Sequence, residues 1–422
     1  MFSIRVNPCS SVALLLLLAP AAIHPQPRVA EPVKTDERIA AYGKAVAAQP
    51  GSAHLQSLLA RAYIQKMRET VDFSYLDRAS SLVESVLVRD PGNYEALRLR
   101  SEIDMERHEF ARVAEYSGEM SRYAPDDPAN WGSLGDASME LGRYEAAREA
   151  YSQMLALRPD LASYNRVAWY QFVNGHVDEA IALMKNAIAA DSPAAENVAW
   201  CWNDLGNIYF KTGRLAEAEE AYAKALAAFS GYYPAYAGMG RVRGAQKRWK
   251  EAIDDFRHAQ ATVPMPEFAA ALEDLYALAG NPVESRKQRD LLEAIDRMNR
   301  ASGERTNRNL ALIFADRDRD LDHAAELADN ELKVRPDVYT EDAVAWVRYK
   351  QKRFAEAEAA GEKALGLRTP EPAFYYHAGL IAAALGKTEE AAARLKRAVE
   401  LNGAFDPVQG SNLRRALATV GR

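Results

Sequence analysis

Cysteine is almost missing from this sequence: Cys9 and Cys201 are the two in 422 residues. Loss of an N-terminal leader would leave a single thiol, which excludes an internal disulfide framework and leaves packing alone to hold the chain. Histidine is sparse and scattered, and His24, His54, His108, His176, His258, His323 and His377 show no zinc-ligand spacing. No Gly-rich loop precedes a Lys-Ser or Lys-Thr pair, and no Gly-x-Ser-x-Gly elbow occurs. No long basic run is present and the net charge is -6, so nothing favours nucleic acid as a partner. Neither a metal site nor a cofactor is expected. Cys201 lies between Trp200 and Trp202 with no His near it in sequence, and reads as a packed small hydrophobe, not a nucleophile.

Long apolar runs are lacking too. The one short run, Val12 to Ala19, follows Arg5 and is followed by Ala19-Pro20-Ala21. A positive residue, a short apolar stretch and small residues are the parts of a secretory leader, and the run is too short to span a bilayer comfortably. We expect a leader over 1–21, cleaved near Ala21 or Ala22, then a linker over 22–34. The competing reading is a retained N-terminal anchor. Cys9 precedes the apolar run, which argues against a lipoprotein. The mature chain is expected to be exported, periplasmic or extracellular, with no membrane span.

What the sequence does have is a repeat. One unit reads Trp131, Leu134-Gly135, Gly142, Tyr144, Ala147, Tyr151, Met154, Pro159. Others read Trp202, Leu205-Gly206, Tyr209, Gly213, Ala218, Tyr222, Ala225; then Tyr236, Met239-Gly240, Trp249, Ala252, Phe256, Ala259, Pro264; then Tyr375, Ala378-Gly379, Gly386, Ala391, Leu395, Ala398. Small residues at Gly135, Gly206, Gly240 and Gly379 let a second helix approach the first, and the Ala series is small for the same reason on the opposing side. Gly142, Gly213 and Gly386 suit the left-handed residue that ends a helix. The aromatics are knobs between units, and the prolines stop the second helix.

This pattern resembles the tetratricopeptide repeat, two antiparallel helices in about 34 residues. The resemblance implies an all-α, right-handed superhelical solenoid of about ten helix pairs. In register, units start at Tyr94, Pro128, Leu161, Ala199, Tyr233, Pro266, Arg305, Val338 and Pro372. A further copy runs from Leu59 to Pro91 with residues inserted around Met67 to Tyr75. A half-unit spans Thr35 to Pro50, and an amphipathic helix near Ser411 to Val420 suits a solvating cap. The second helix of the unit at Pro266 runs on through Leu291, Leu292, Ile295 and Met298, so one array is expected over 35–301 and another over 305–422, with the break at Ser302 to Thr306.

The resemblance also implies a concave face lined by the first helix of each pair. Inward positions hold Arg98, Glu102, Asp136, Asn165, Trp169, Phe172, Asn203, Asn207, Phe210, Lys211, Arg241, Asn309, Trp346 and Tyr349. The expected binding groove is the central group: Asn165, Asn203 and Asn207 as amides for a peptide backbone, Trp169, Phe172 and Phe210 as anchoring area, and Lys211 and Arg241 at the edge. The competing reading is solvated amides with aromatics packed between units. Asn203 and Asn207 resemble part of the family's carboxylate clamp, whose basic residues are not matched here.

Asp316, Asp318, Asp320 and Asp322 alternate with Arg317 and Arg319 and read as a solvated charged turn, since a calcium loop would want a Gly at the bend and a distal Glu. The expected function is a non-catalytic scaffold binding a protein or peptide. Alternatives are an assembly component of an envelope secretion or polysaccharide-export machine, and a helical-repeat enzyme with its site in 266–306.

Overall fold

Tyr94, Pro128, Leu161, Tyr233, Pro266, Val338 and Pro372 are each the first residue of a helix in the computed structural model. The structure describes residues 34–190, 192 and 194–420, so the expected leader, and the linker up to its last residue, lie outside the described residues.

The helices in chain order are α1 (Thr35–Ala48), α2 (Ala53–Thr70), α3 (Ser74–Arg89), α4 (Tyr94–Glu106), α5 (Phe110–Tyr123), α6 (Pro128–Glu140) and α7 (Tyr144–Leu157). There follow α8 (Leu161–Val173), α9 (Val177–Ala190), α10 (Ala195–Lys211), α11 (Leu215–Ala228), α12 (Tyr233–Ala245), α13 (Trp249–Thr262), α14 (Pro266–Leu278) and α15 (Pro282–Ala301). The last are α16 (Arg308–Asp316), α17 (Leu321–Val334), α18 (Val338–Lys350), α19 (Phe354–Leu365), α20 (Pro372–Ala384), α21 (Thr388–Asn402) and α22 (Gln409–Val420). Each even-numbered helix from α2 to α20 pairs with the next, α1 leans on α2, and α22 closes the far end on α21. The fold is the expected all-helical superhelix of helix pairs.

Helix starts follow from local chemistry. Side chains of Asn93, Asp127, Asp160 and Asp337 accept N–H bonds from the first turns of α4, α6, α8 and α18. Proline opens α6, α14 and α20, where its missing N–H costs nothing.

The small residues act as expected. A Cβ at Gly135 would lie 2.3 Å from the Tyr151 ring, and one at Gly240 would lie 2.6 Å from Phe256. Tyr222 is fully buried, wedged between Gly206 of its own pair and Gly238 of the next. One ring therefore fills both the gap within a pair and the gap between pairs, which is why the aromatic must be large and both facing residues must lack a side chain.

Irregular intervals became helix. The residues inserted after Met67 extend α2 to 18 residues. The extra residues before Ala199 add a turn to the start of α10, and the unit with no stopping proline yields the 20-residue α15. Gly303 at φ 82° lies in the turn after α15. Leu292 of α15 and Ala269 and Ala270 of α14 share a hydrophobic cluster with Leu310, Ala311 and Phe314 of α16.

The array also touches itself one turn of superhelix later. Tyr144 Oη accepts the Val338 N–H at 2.9 Å, and Arg335 pairs with Glu140 at 2.8 Å. Thr369 Oγ1 donates to the Val173 carbonyl at 2.6 Å, and the Asn402 amide donates to the Phe210 carbonyl at 2.7 Å. The turn glycines take part. Gly142 (φ 65°) and Gly213 (φ 75°) have the expected left-handed backbone, and a Cβ on them would lie 2.5 Å from the Pro336 carbonyl and 2.6 Å from the Leu401 carbonyl. The turns inside the central pairs are thus seats for the loops of the last units.

Candidate functional site

The inner face is built by one stripe per first helix, and α10 shows how it runs. Glu196, Trp200, Asp204, Asn207 and Lys211 recur every three or four residues and so share a face. At one end, Glu196 is buried beside Gln65 and Arg68 of α2, and burial raises its carboxyl above the usual range. At the other, Lys211 forms an ion pair with Glu371 and donates to Tyr339 Oη at 3.4 Å, 128 residues away in sequence. Its ammonium also lies 5.1 to 5.9 Å from the Tyr339, Phe172 and Trp169 rings. Burial opposes that charge, but Glu371 and Tyr339 outweigh it and raise the Lys211 pKa.

Most of the central group named from sequence is therefore engaged within the chain. Phe172 and Phe210 are buried at 0 % and 5 % exposure. Trp169 stacks on Tyr339 with ring centroids 6.1 Å apart. Asn207 Oδ1 accepts from Tyr222 Oη at 2.9 Å and from Arg241 at 2.8 Å. Lys211 sits in a cage, not at a groove edge. Asn165 reaches Cys201 Sγ at 3.5 Å, and burial first of all pushes the Cys201 thiol up to about 12, so it is the inert packed group expected. Two features stay uncommitted. Among the described residues the Asn203 carboxamide oxygen is buried with no hydrogen-bond partner, and Trp200, which the sequence reading did not select, is 46 % exposed. Trp200 Nε1 donates to Asp204 at 2.5 Å, and burial raises Asp204 to about 6.

A second region lies at the far end of the same face. The C-terminal halves of α14, α16, α18 and α20 meet the α21–α22 loop and α22 around a cavity of about 330 Å³. Its walls include Asp274, Asp316, Asp406, Trp346, Tyr349 and Tyr376. Trp346 is held rigidly: His377 stacks on it at 4.1 Å, Tyr349 stacks on it at 5.0 Å, and its Nε1 donates to Asp316 at 2.7 Å. Asp406 accepts the N–H groups of Val408 and Gln409 at 2.8 and 2.7 Å. Burial raises Asp316 to about 6 and Asp274 to about 7, and raises Asp406 as well.

The Asp and Arg run is solvated as expected at Asp318, Asp320 and Asp322, but Asp316, Arg317 and Arg319 turn inward. Arg317 bridges Glu273 (3.1 Å) and Asp274 (2.7 Å) and donates to the Ala270 carbonyl at 2.9 Å. Arg319 and Arg289 also reach Glu273, Lys350 takes Asp318, and Asp320 pairs with Arg300. The turn forms this way because its charges face α14, α15 and α18 at once: Arg317, Asp318, Arg319 and Asp320 find opposite partners, while Asp316 accepts the Trp346 indole N–H and Asp322 the Gln351 amide.

Tetratricopeptide-repeat family models match residues 128–161, 159–230 and 344–407. The chain is a tetratricopeptide-repeat protein. Proteins of this kind are protein-interaction scaffolds. Among solved structures, a tetratricopeptide repeat protein from Parabacteroides merdae is 19 % identical, over 62 % of this chain and 99 % of that one, with a TM-score of 0.34. The human IFIT1 dimer is 15 % identical over 87 % of this chain and 95 % of that one, with a TM-score of 0.45. Cut9–Hcn1 of the APC/C is 15 % identical over 91 % and 84 %, with a TM-score of 0.41. These likenesses concern helix-pair repeats and say nothing of a ligand. Comparison with curated proteins gives no match.

In this tetratricopeptide array, among the described residues, Glu358, Glu362 and Glu390 are the acidic or imidazole groups close enough to share a metal ion. Arg394 already pairs with Glu362 and Glu390, and Lys387 with Glu358 at 2.6 Å, so the array's own cations neutralise that trio. Among the described residues no helix is long and apolar enough to cross a membrane.

Proposed function

We propose that this chain is a non-catalytic scaffold that holds a segment of a partner protein against its inner face, and that it works outside the cytoplasm, in the periplasm or beyond the cell. The leader-like start of the sequence supports the location. The observation that carries the binding reading is Trp200, 46 % exposed on the inner stripe of α10, with the buried Asn203 amide packed behind it. A large indole left open there supplies contact area for a partner segment, and Asn203 helps to set the helix that presents it.

Asn207 is a poor probe of this face because Tyr222 and Arg241 depend on it. Trp200→Ala with Asn203→Ala is the informative pair. Immobilised full chain should enrich a defined partner from envelope extract, and the double variant should lose that capture while its helical circular dichroism is unchanged. Equal capture by the variant, or no partner from envelope against ready capture from cytosol, would overturn the reading.

A further inference from the structure

The cavity between the C-terminal first helices and α22 has an unusual charge inventory. Three carboxylates line it: Asp274, Asp316 and Asp406. Its three cations are committed elsewhere or lie at its edge. Arg317 is spent on Glu273, Asp274 and a carbonyl, Lys350 on Asp318 at 2.9 Å, and exposed Arg415 bonds Asn412. His377, behind Trp346, pairs with Asp342 at 3.0 Å. Among the described residues, neither Asp316 nor Asp406 has an ion-pair partner, although both are only partly exposed. Carboxylates partly withdrawn from water are stabilised by a cation.

The three Asp residues do not form a trio close enough to share one metal ion, unlike Glu358, Glu362 and Glu390. A wider spacing, with Tyr349 and Tyr376 on the walls and a volume of about 330 Å³, suits an organic cation with an apolar stem. Separated acceptors favour the forked donors of a guanidinium over the point charge of an ammonium. In the central units the inner face is met by later loops of the chain, whereas here it opens on the cavity.

We propose that this cavity receives an arginine side chain from a partner protein, its guanidinium held between Asp316 and Asp406 and its stem against Tyr349 and Tyr376. The proposal rests on the scaffold reading and names the chemistry of the partner segment.

The test uses full-length protein at pH 7.5 and a fluorescent acetylated pentapeptide amide with one central arginine among alanines. The same peptide with citrulline keeps the shape and removes the charge. The arginine peptide should bind at least about tenfold more tightly, and Asp316→Asn and Asp406→Asn should each remove about tenfold, the loss expected for one charge-assisted hydrogen bond. Lys224→Ala, at the solvated pair with Glu220, should leave this affinity unchanged. Equal affinity for both peptides, or variants that bind like the parent, would overturn the proposal. Free arginine amide binding as tightly as the peptide would overturn the protein partner in favour of a small cation. Either failure with partner capture through Trp200 and Asn203 intact would leave the scaffold standing, and loss of that capture too would remove both.

Discussion

The inner face has two regions built from the same helices to opposite effect. Around α8 and α10 the polar and aromatic groups meet another part of the chain, so Lys211, Trp169, Phe172 and Asn207 are tied off. Around α16, α18 and α22 comparable groups face a cavity, and among the described residues Asp316 and Asp406 have no counter-ion. The helix-pair pattern is equally good in both. What differs is what lies opposite: later loops of the chain meet the central helices, and a cavity faces the C-terminal ones.

If the central region is interior, breaking it must unfold something. Lys211→Ala leaves Glu371 unpaired at 14 % side-chain exposure and should cost about 3–5 kcal/mol in urea unfolding. Lys224→Ala, at the solvated pair with Glu220, should cost less than about 1 kcal/mol. Similar losses for the two would contradict the closed central region.

The turns give a finer comparison. Gly386→Ala places a side chain at φ 76° with nothing within 4 Å, so only backbone strain of about 1–2 kcal/mol is expected. Gly213→Ala adds the Leu401 carbonyl at 2.6 Å and should cost about 1–3 kcal/mol more, from crowding. A matching pair of melting curves checks this, and equal shifts would mean that the turns of superhelix do not press on one another.

The smallest effect belongs to the cavity. Burial holds Asp316 protonated to about pH 6 and Asp274 to about pH 7, above the ordinary Asp value of about 3.9 in an unfolded chain. The groups facing Asp316 are His377, Asp406, Arg317 and the Trp346 indole; those facing Asp274 are Arg317, Asp406, Glu273 and Asp316. Between about pH 4 and these values the folded state binds more protons, so the two groups favour folding on the acid side and that contribution is lost as pH rises through 6 to 7. Asp316→Asn keeps the acceptor for Trp346 and should be neutral or stabilising at pH 7.5, on the order of 1 kcal/mol, with the gap closing by pH 5. A clear loss of stability at pH 7.5 would show that the carboxylate is already compensated.

Much of the fold was legible because the repeat is local. The Trp or Tyr, Gly and Ala spacing fixes which residues can meet within a pair and between neighbours, and it placed seven helix starts to the residue. It failed where chemistry is not periodic. Nothing near Lys211 points to Tyr339 or Glu371, because superhelical pitch is a sum of small rotations that no single motif carries. Trp200 was passed over beside the stronger Trp202 signal. Trp346 and Tyr349 were read as inward from register alone. Asp316 was hidden in an alternating run that looks solvated, and Asp406 lies in a loop with no pattern at all.

The glycines that seat the last loops have a consequence for how such a chain can change. In an open solenoid each unit answers only to its neighbours, so units can be gained or lost in evolution with little effect elsewhere. Here Gly142 must meet Pro336, Gly175 must meet Arg368 and Gly213 must meet Leu401, each at a set remove around the axis. Deleting or duplicating one pair between them would rotate every later seat out of line at once. The number of pairs between seats is therefore itself a fixed dimension of the molecule, as the number of strands is in a closed barrel.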